Sequence, residues 1–240
     1  MTEVYMMESK TLAIIPARGG SKRVPRKNVK NFLGQPILKY SIDAAVKCGC
    51  FDEVMVSTDD EEIAEISRRS GAKVPFLRSR ENSDSKANLI DVFEEVIKRY
   101  EKEGKSFDNF CVILSTAPFI NAERLKLGFQ KLRENHADQV VAVVKYSFPI
   151  QRAFQIEKDR LKMIWPENMH KHSQDLESSY HDSGQFYWYN TEKFLAQKKS
   201  FLDDAVPVEI PESEVQDIDT LEDWKIAEMK YKILENNGQT

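Results

Sequence analysis

The chain has 240 residues, 41% of them hydrophobic and 31% charged, which is enough for one substantial core with a small appendage and too little for two ordinary large domains. Its net charge of −4 argues against nucleic acid as a partner, because polyanion binding normally draws on a basic face and a basic domain. No stretch reaches the roughly 18 to 20 uninterrupted apolar residues of a membrane span, and MTEVYMMESK at the start lacks the apolar core of a secretory signal, so a cytoplasmic location is expected.

Three cysteines, Cys48, Cys50 and Cys111, stand at spacings that match neither a disulfide framework nor a zinc site, and they read as core or surface thiols. The first clear element is the apolar run Leu12 to Pro16, which suits a strand buried on both faces. From Pro36 the apolar positions Ile37, Leu38, Ile42, Ala45 and Val46 recur at helical spacing, and Gly49 stops the helix. A second strand follows over Glu53 to Ser57. Thr58 or Asp59 can cap the next helix, with Glu61 or Glu62 as the reciprocal partner and Gly71 at its end. Val74 to Leu77 is a short strand candidate. Leu89, Val92, Phe93, Val96, Ile97 and Tyr100 trace an amphipathic helix.

Phe110 to Leu114 predicts another buried strand, Asn121 a helix start, and Val140 to Val144 one more strand. Between about 146 and 185 the apolar residues follow no sustained period, and this stretch reads as an inserted arm. Phe186 to Tyr189 and Val206 to Ile210 are strands again, and Thr220 with Asp223 opens a last helix. Such alternation predicts an α/β fold: a mostly parallel sheet with helices on both faces, in one domain spanning 1–240, whose ligands gather beyond the carboxyl ends of the strands.

Three constellations carry chemistry. Arg18-Gly19-Gly20-Ser21-Lys22, with Lys27 and Asn28 close behind, is neither a P-loop nor a dinucleotide fingerprint. Its glycines let backbone N–H groups approach an anion while the cations supply charge-assisted bonds, which suits a triphosphate; a solvated basic turn is the plain alternative. Asp217 and Asp219, spaced i and i+2, would point to one side of an extended chain and offer hard oxygens to Mg2+, unless Asp219 or Thr220 merely caps the final helix. His181-Asp182-Ser183-Gly184-Gln185-Phe186-Tyr187-Trp188 sets polar groups beside aromatic faces, as an acylated, polyhydroxylated sugar requires. A hydrolase triad there is excluded, because sequence neighbours do not face one another as a triad must and no G-x-S-x-G is present.

IIPARGGSKRVPRKN, then VSTDDEEIA, and finally QDIDTLEDW resemble motifs of the CMP-sialic acid synthetases (acylneuraminate cytidylyltransferases), over about residues 11 to 230. SFPIQRAF at 147–154 and HDSGQFYW at 181–188 resemble the pseudaminic acid branch most. The resemblance implies a Rossmann-like nucleotidyltransferase fold with a dimerisation arm at about 146–185, a homodimer, and transfer of CMP from CTP to a nine-carbon 2-keto sugar acid with release of pyrophosphate, as used for flagellin glycosylation. By position it implies that Arg18, Gly19, Gly20, Ser21 and Lys27 hold the phosphates, that Asn28 and Arg78 contact the cytidine, and that Asp217 and Asp219 bind Mg2+. Arg152, His181, Asp182 and Gln185 would contact the sugar, and Arg18, Lys27 and both aspartates would carry catalysis. Many sialic acid members have LQPTSPL after the central strand where this chain has ILSTAPF, so N-acetylneuraminic acid is a less fitting substrate. Other readings are a synthetase for N-acetylneuraminic or legionaminic acid, and a nucleotide-binding regulatory protein without turnover.

Overall fold

The computed structural model describes residues 9–84 and 88–238. Residues 1–8, which hold most of the segment read as lacking a secretory signal, lie outside them. Ten strands and six α-helices follow one another as β1 (Thr11–Pro16), β2 (Asn31–Phe32), β3 (Gln35–Pro36), α1 (Ile37–Cys48), β4 (Glu53–Ser57), α2 (Glu61–Arg69), α3 (Leu89–Lys102), β5 (Asn109–Ile113), α4 (Ala122–Glu134), β6 (Gln139–Lys145), β7 (Phe154–Glu157), β8 (Arg160–Met163), β9 (Tyr180–Asn190), α5 (Thr191–Gln197), β10 (Ala205–Glu209) and α6 (Leu221–Asn236). Six strands form the main sheet in the order β10-β6-β9-β5-β1-β4. β1 runs parallel to β4 and β5, and β10 parallel to β6, whereas β9 is antiparallel to both its neighbours.

Helices cover both faces because the strands alternate between two apolar sides. On β1, Ala13 and Ile15 pack with Leu38 and Ile42 of α1, Ile63 of α2 and Leu125 of α4. Leu12 and Ile14 point the other way, onto Val92, Phe93 and Val96 of α3 and Phe194 of α5. A third cluster joins distant parts of the chain: Trp224, Ala227 and Leu234 of α6 pack on Val24, Phe32, Ile37, Phe119 and Ile218. Burying Val24 and Ile218 contributes roughly 1.5–3 kcal/mol each, and it fixes the segment before α6 against the loop after β1.

Several expectations need correction. Val74 to Leu77 is not a strand: a single parallel bridge joins Lys73 to Met55, and Pro75 lacks the N–H needed to extend the ladder. The cap of α2 is Asp60, which accepts from Ile63 N, rather than Thr58 or Asp59. Cys48 and Cys50 are bonded to each other; Gly49, at φ 66°, turns the chain at the end of α1 so that the two Cα atoms stand 5.5 Å apart. Cys111 is a buried thiol, and burial pushes its pKa up. Finally, β9 begins at Tyr180, six positions ahead of Phe186, so His181, Asp182 and Gln185 lie on a strand of the main sheet. Between β6 and β9 stands the separate hairpin β7–β8.

Candidate active site

The site is built on the buried pair Val24 and Ile218, 1% and 0% exposed. Ile218 sits between two aspartates that keep contact with solvent, and its burial sets the Asp219 carboxylate against the loop after β1. There Arg23 donates two hydrogen bonds to Asp219, Nη1 to Oδ2 at 2.8 Å and Nη2 to Oδ1 at 2.7 Å. Lys27 Nζ donates to the Ile218 carbonyl at 2.6 Å. The cationic turn and the paired acids therefore meet in space. Thr220 takes the capping role, with the Asp223 carboxylate accepting from its N–H at 2.7 Å, which releases Asp219 from it.

Burial lowers the pKa of Lys27 against the opposing pull of Asp219 and Asp217. Asp217 moves the other way: partial desolvation, then the charge of Asp219, raise its pKa, and Lys27 offsets only part of this.

The loop itself is tied down from α2. Arg26, in the left-handed region at φ 53°, pairs with Asp60 and Glu62, and its guanidinium holds the Asp60 carboxyl below the usual range. Gly19 N donates to Asp59 Oδ1 at 2.9 Å. A Cβ at Gly19 would stand 2.7 Å from Asp60 Oδ2, whereas one at Gly20 would meet nothing within 4 Å. The two glycines thus serve different ends: Gly19 admits Asp60, and Gly20 leaves open space. Among the described residues the side chains of Arg18, Lys22 and Lys27 have no ion pair, so these cations of the loop remain for an incoming anion.

Asn28, 5% exposed, is locked on both sides: its Nδ2 donates to the Arg18 carbonyl and its Oδ1 accepts from Ser115 Oγ, each at 2.8 Å. Arg78, 8% exposed, donates from Nε to Ser57 Oγ at 3.0 Å, and burial lowers its pKa. These residues border a cleft of ≈ 190 Å³ with Arg18, Ser21, Lys27 and Asp219 on its walls. A second cleft of ≈ 590 Å³ contains His181, Asp182, Tyr187, Asp217 and Lys230. Leu114, at the end of β5, borders both, and the two aspartates are divided between them. A larger cavity of ≈ 940 Å³ opens at the opposite end of the sheet, beside Asn109 and Asn190, and none of the predicted site residues lines it.

Not every predicted residue reaches these clefts. Gln185 is 3% exposed beneath the second one, where Nε2 donates to the Glu214 carbonyl at 2.6 Å and Oε1 is buried without a partner. Arg152 lies beside Phe148, Phe154 and Met169, and bonds Ser173 Oγ at 3.1 Å. Conversely, sequence reasoning missed Arg23, Asp60, Ser115 and Tyr187 as members of the site. Asp60 was legible as an acid ahead of α2, but its bond to Arg26 spans 34 positions and leaves no local period.

A sequence profile described as cytidylyltransferase matches residues 12–209. The chain belongs to the cytidylyltransferase family. It is 39% identical to the pseudaminic acid cytidylyltransferase of Campylobacter jejuni over 93% of this chain and 97% of that protein. To the CMP-N,N'-diacetyllegionaminic acid synthase of Legionella pneumophila it is 29% identical, over 95% and 97% of the two chains. Among solved structures, CMP:2-keto-3-deoxy-manno-octonic acid synthetase complexed with CTP shares the fold at a TM-score of 0.69 and 16% identity, covering 95% of this chain and 100% of that one. This cytidylyltransferase has the expected mostly parallel sheet, interrupted by the one antiparallel strand that carries His181 and Asp182.

Proposed function

We propose that this cytidylyltransferase transfers CMP from CTP to the anomeric hydroxyl of a nine-carbon 2-keto sugar acid, pseudaminic acid, with release of pyrophosphate. The observation that carries the reading is the junction of the two clefts at Leu114 and the Asp217–Asp219 pair, a cationic site against a polar, aromatic one. Its substrate assignment follows the 39% identity to a relative that bears that activity in its name.

In this reading the sugar hydroxyl gives its proton to water and its oxygen bonds to the α-phosphorus while the bond from that phosphorus to the bridging oxygen of pyrophosphate breaks. Arg18 and Lys27 sit where charge grows on the departing pyrophosphate, and fixed cations aimed at developing charge lower the barrier without reorganisation. Gly19, Gly20 and Ser21 let the chain approach the phosphates, and Asn28 and Arg78, both held rigid by the protein, contact the cytidine. His181, whose ring packs 4.6 Å from that of Tyr146, and Asp182 meet the sugar. Gln185 joins this set by shaping its floor, and Arg152, which stands outside both clefts, would join it only by swinging over from the arm.

Asp217 and Asp219 are hard oxygen donors suited to Mg2+, and a cation there would offset the desolvation and, after it, the mutual repulsion that raise the pKa of Asp217. Among the described residues no third acid, histidine or cysteine joins them, so the remaining ligands of a cation held there would be phosphate oxygens and water. When bound, the metal supplies charge neutralisation at the phosphates. The same reading makes the protein a cytoplasmic homodimer: Phe148, Ile156 and Leu161, 85%, 74% and 72% exposed around the β7–β8 hairpin, form the kind of apolar surface that a second copy covers.

The test is pyrophosphate release from CTP and Mg2+ with a panel of pseudaminic, legionaminic and N-acetylneuraminic acids. Release with pseudaminic acid alone is expected. CTP binding with no release from any acid would instead favour a regulatory protein.

A further inference from the structure

We propose that Arg23 is a triphosphate ligand held in reserve by Asp219, which it leaves when a divalent cation takes that carboxylate. The proposal rests on the reading of Asp217 and Asp219 as the metal pair. Arg23 caps both oxygens of Asp219 in a bidentate fork, so a cation cannot use that carboxylate freely while the fork stands. The pair is also easily broken, with side chains 68% and 40% exposed. An exposed ion pair shifts an equilibrium only about twofold to fivefold, far less than a metal bridging two carboxylates and a triphosphate can return.

Where the guanidinium goes is constrained by its neighbours. Arg23 lines the same cleft as Arg18, Ser21, Lys22 and Lys27. Arg26 is engaged by Asp60 and Glu62, and Lys27 by the Ile218 carbonyl. Once Asp219 turns to the cation, Arg23 becomes an unpaired fork at the mouth of an anion site, and phosphate oxygens match its bidentate geometry as the carboxylate did. Metal arrival and the last phosphate contact are thereby coupled. Asp219 keeps Arg23 from pairing elsewhere before the nucleotide comes, and Arg23 screens the two acids from each other until the metal replaces it.

Arg23→Gln tests this, because it removes the charge from an exposed pair and leaves the core pair Val24 and Ile218 untouched. Mn2+ binding to the nucleotide-free protein, followed by electron paramagnetic resonance, should tighten about twofold to fivefold, since Asp219 is no longer occupied. CTP binding in the presence of Mg2+, followed by calorimetry, should weaken about tenfold or more. Opposite shifts in one variant are the signature; a residue that only supports the loop would weaken both. Mn2+ binding that is unchanged or weaker overturns the proposal, and so does unaltered CTP binding. Wild-type protein that binds no CTP would overturn the functional reading itself, whereas normal wild-type binding with an unresponsive variant would overturn this inference alone.

Discussion

Lys27 Nζ donates a 2.6 Å hydrogen bond to the carbonyl of Ile218, a residue 191 positions later in the chain. The ammonium is thus pinned beside two carboxylates in a partly desolvated setting that lowers its pKa. For Lys27→Ala we expect turnover to fall by roughly 10² to 10³, the usual cost of removing a fixed charge contact to the transition state. Loss of one hydrogen bond costs about 1 kcal/mol, so the melting temperature should drop by only about 2–4 °C. Turnover equal to wild type in a steady-state pyrophosphate assay would remove Lys27 from the chemistry.

Asp217 poses a trade between stability and activity. Its pKa in the folded protein lies above the unfolded value, so folding favours the protonated form. Its stabilising contribution is present at acid pH, below the unfolded pKa, and is lost as pH rises through the folded value. At neutral pH the ionised group therefore costs stability. Asp217→Asn should raise the metal-free melting temperature slightly, by about 1–2 °C, in line with the half kcal/mol of an exposed position, while turnover collapses. The difference between the two metal-free proteins should shrink as the pH falls and the wild-type carboxyl takes up its proton. A lower melting temperature for the variant at pH 7 would contradict this account.

Much of this was legible in the chain because the governing forces are local. Alternation and helical spacing located β1, α1, β4, α3, β5 and α4, and Thr220 with Asp223 marked the start of α6 through a reciprocal cap. The loop and acid motifs pointed to the two segments that meet at Arg23, Lys27, Ile218 and Asp219. What the sequence could not show were relations across long separations: Arg23 with Asp219, Asn28 with Ser115, and Arg26 with Asp60. The early start of β9 was hidden because its first residues pair only with β6, at an irregular register, and are largely exposed, so no apolar period marks them. The Cys48–Cys50 bond escaped because spacing rules do not report a left-handed glycine between two cysteines.

The glycines separate protein packing from ligand space. Gly19→Ala would drive a Cβ to 2.7 Å from Asp60 Oδ2, and Asp60 cannot yield without disturbing both its helix cap and Arg26. We expect a loss of about 1–3 kcal/mol, the typical cost of overpacking, together with weaker CTP binding. Gly20→Ala meets no protein atom within 4 Å, so its melting temperature should match wild type. If Gly20→Ala nevertheless binds CTP poorly, the space over Gly20 belongs to the nucleotide. If calorimetry shows CTP binding unaffected, the phosphates lie elsewhere on the loop.

Tyr187 offers the sharpest probe of the sugar side. Its hydroxyl donates to Asp182 Oδ2 at 2.5 Å, while Gly184 N donates to Oδ1 at 2.9 Å, so the carboxylate is aimed by two donors. Burial, then the charge of Asp182, raise the tyrosine pKa, which keeps the phenol protonated and donating throughout the working range. Tyr187→Phe removes one donor and lets the exposed carboxylate rotate, without leaving a buried charge behind. A hydrogen bond to a charged group is worth about 1.5–3 kcal/mol at most, and much of it returns here through solvation, so KM for the sugar acid should rise about tenfold or less. KM for CTP should not move, because Arg18, Asn28 and Arg78 are bounded by other elements. Steady-state kinetics with each substrate varied in turn separates the two effects. Equal increases in both constants would mean that Tyr187 supports the whole cleft, and no change in either would detach Asp182 from sugar binding.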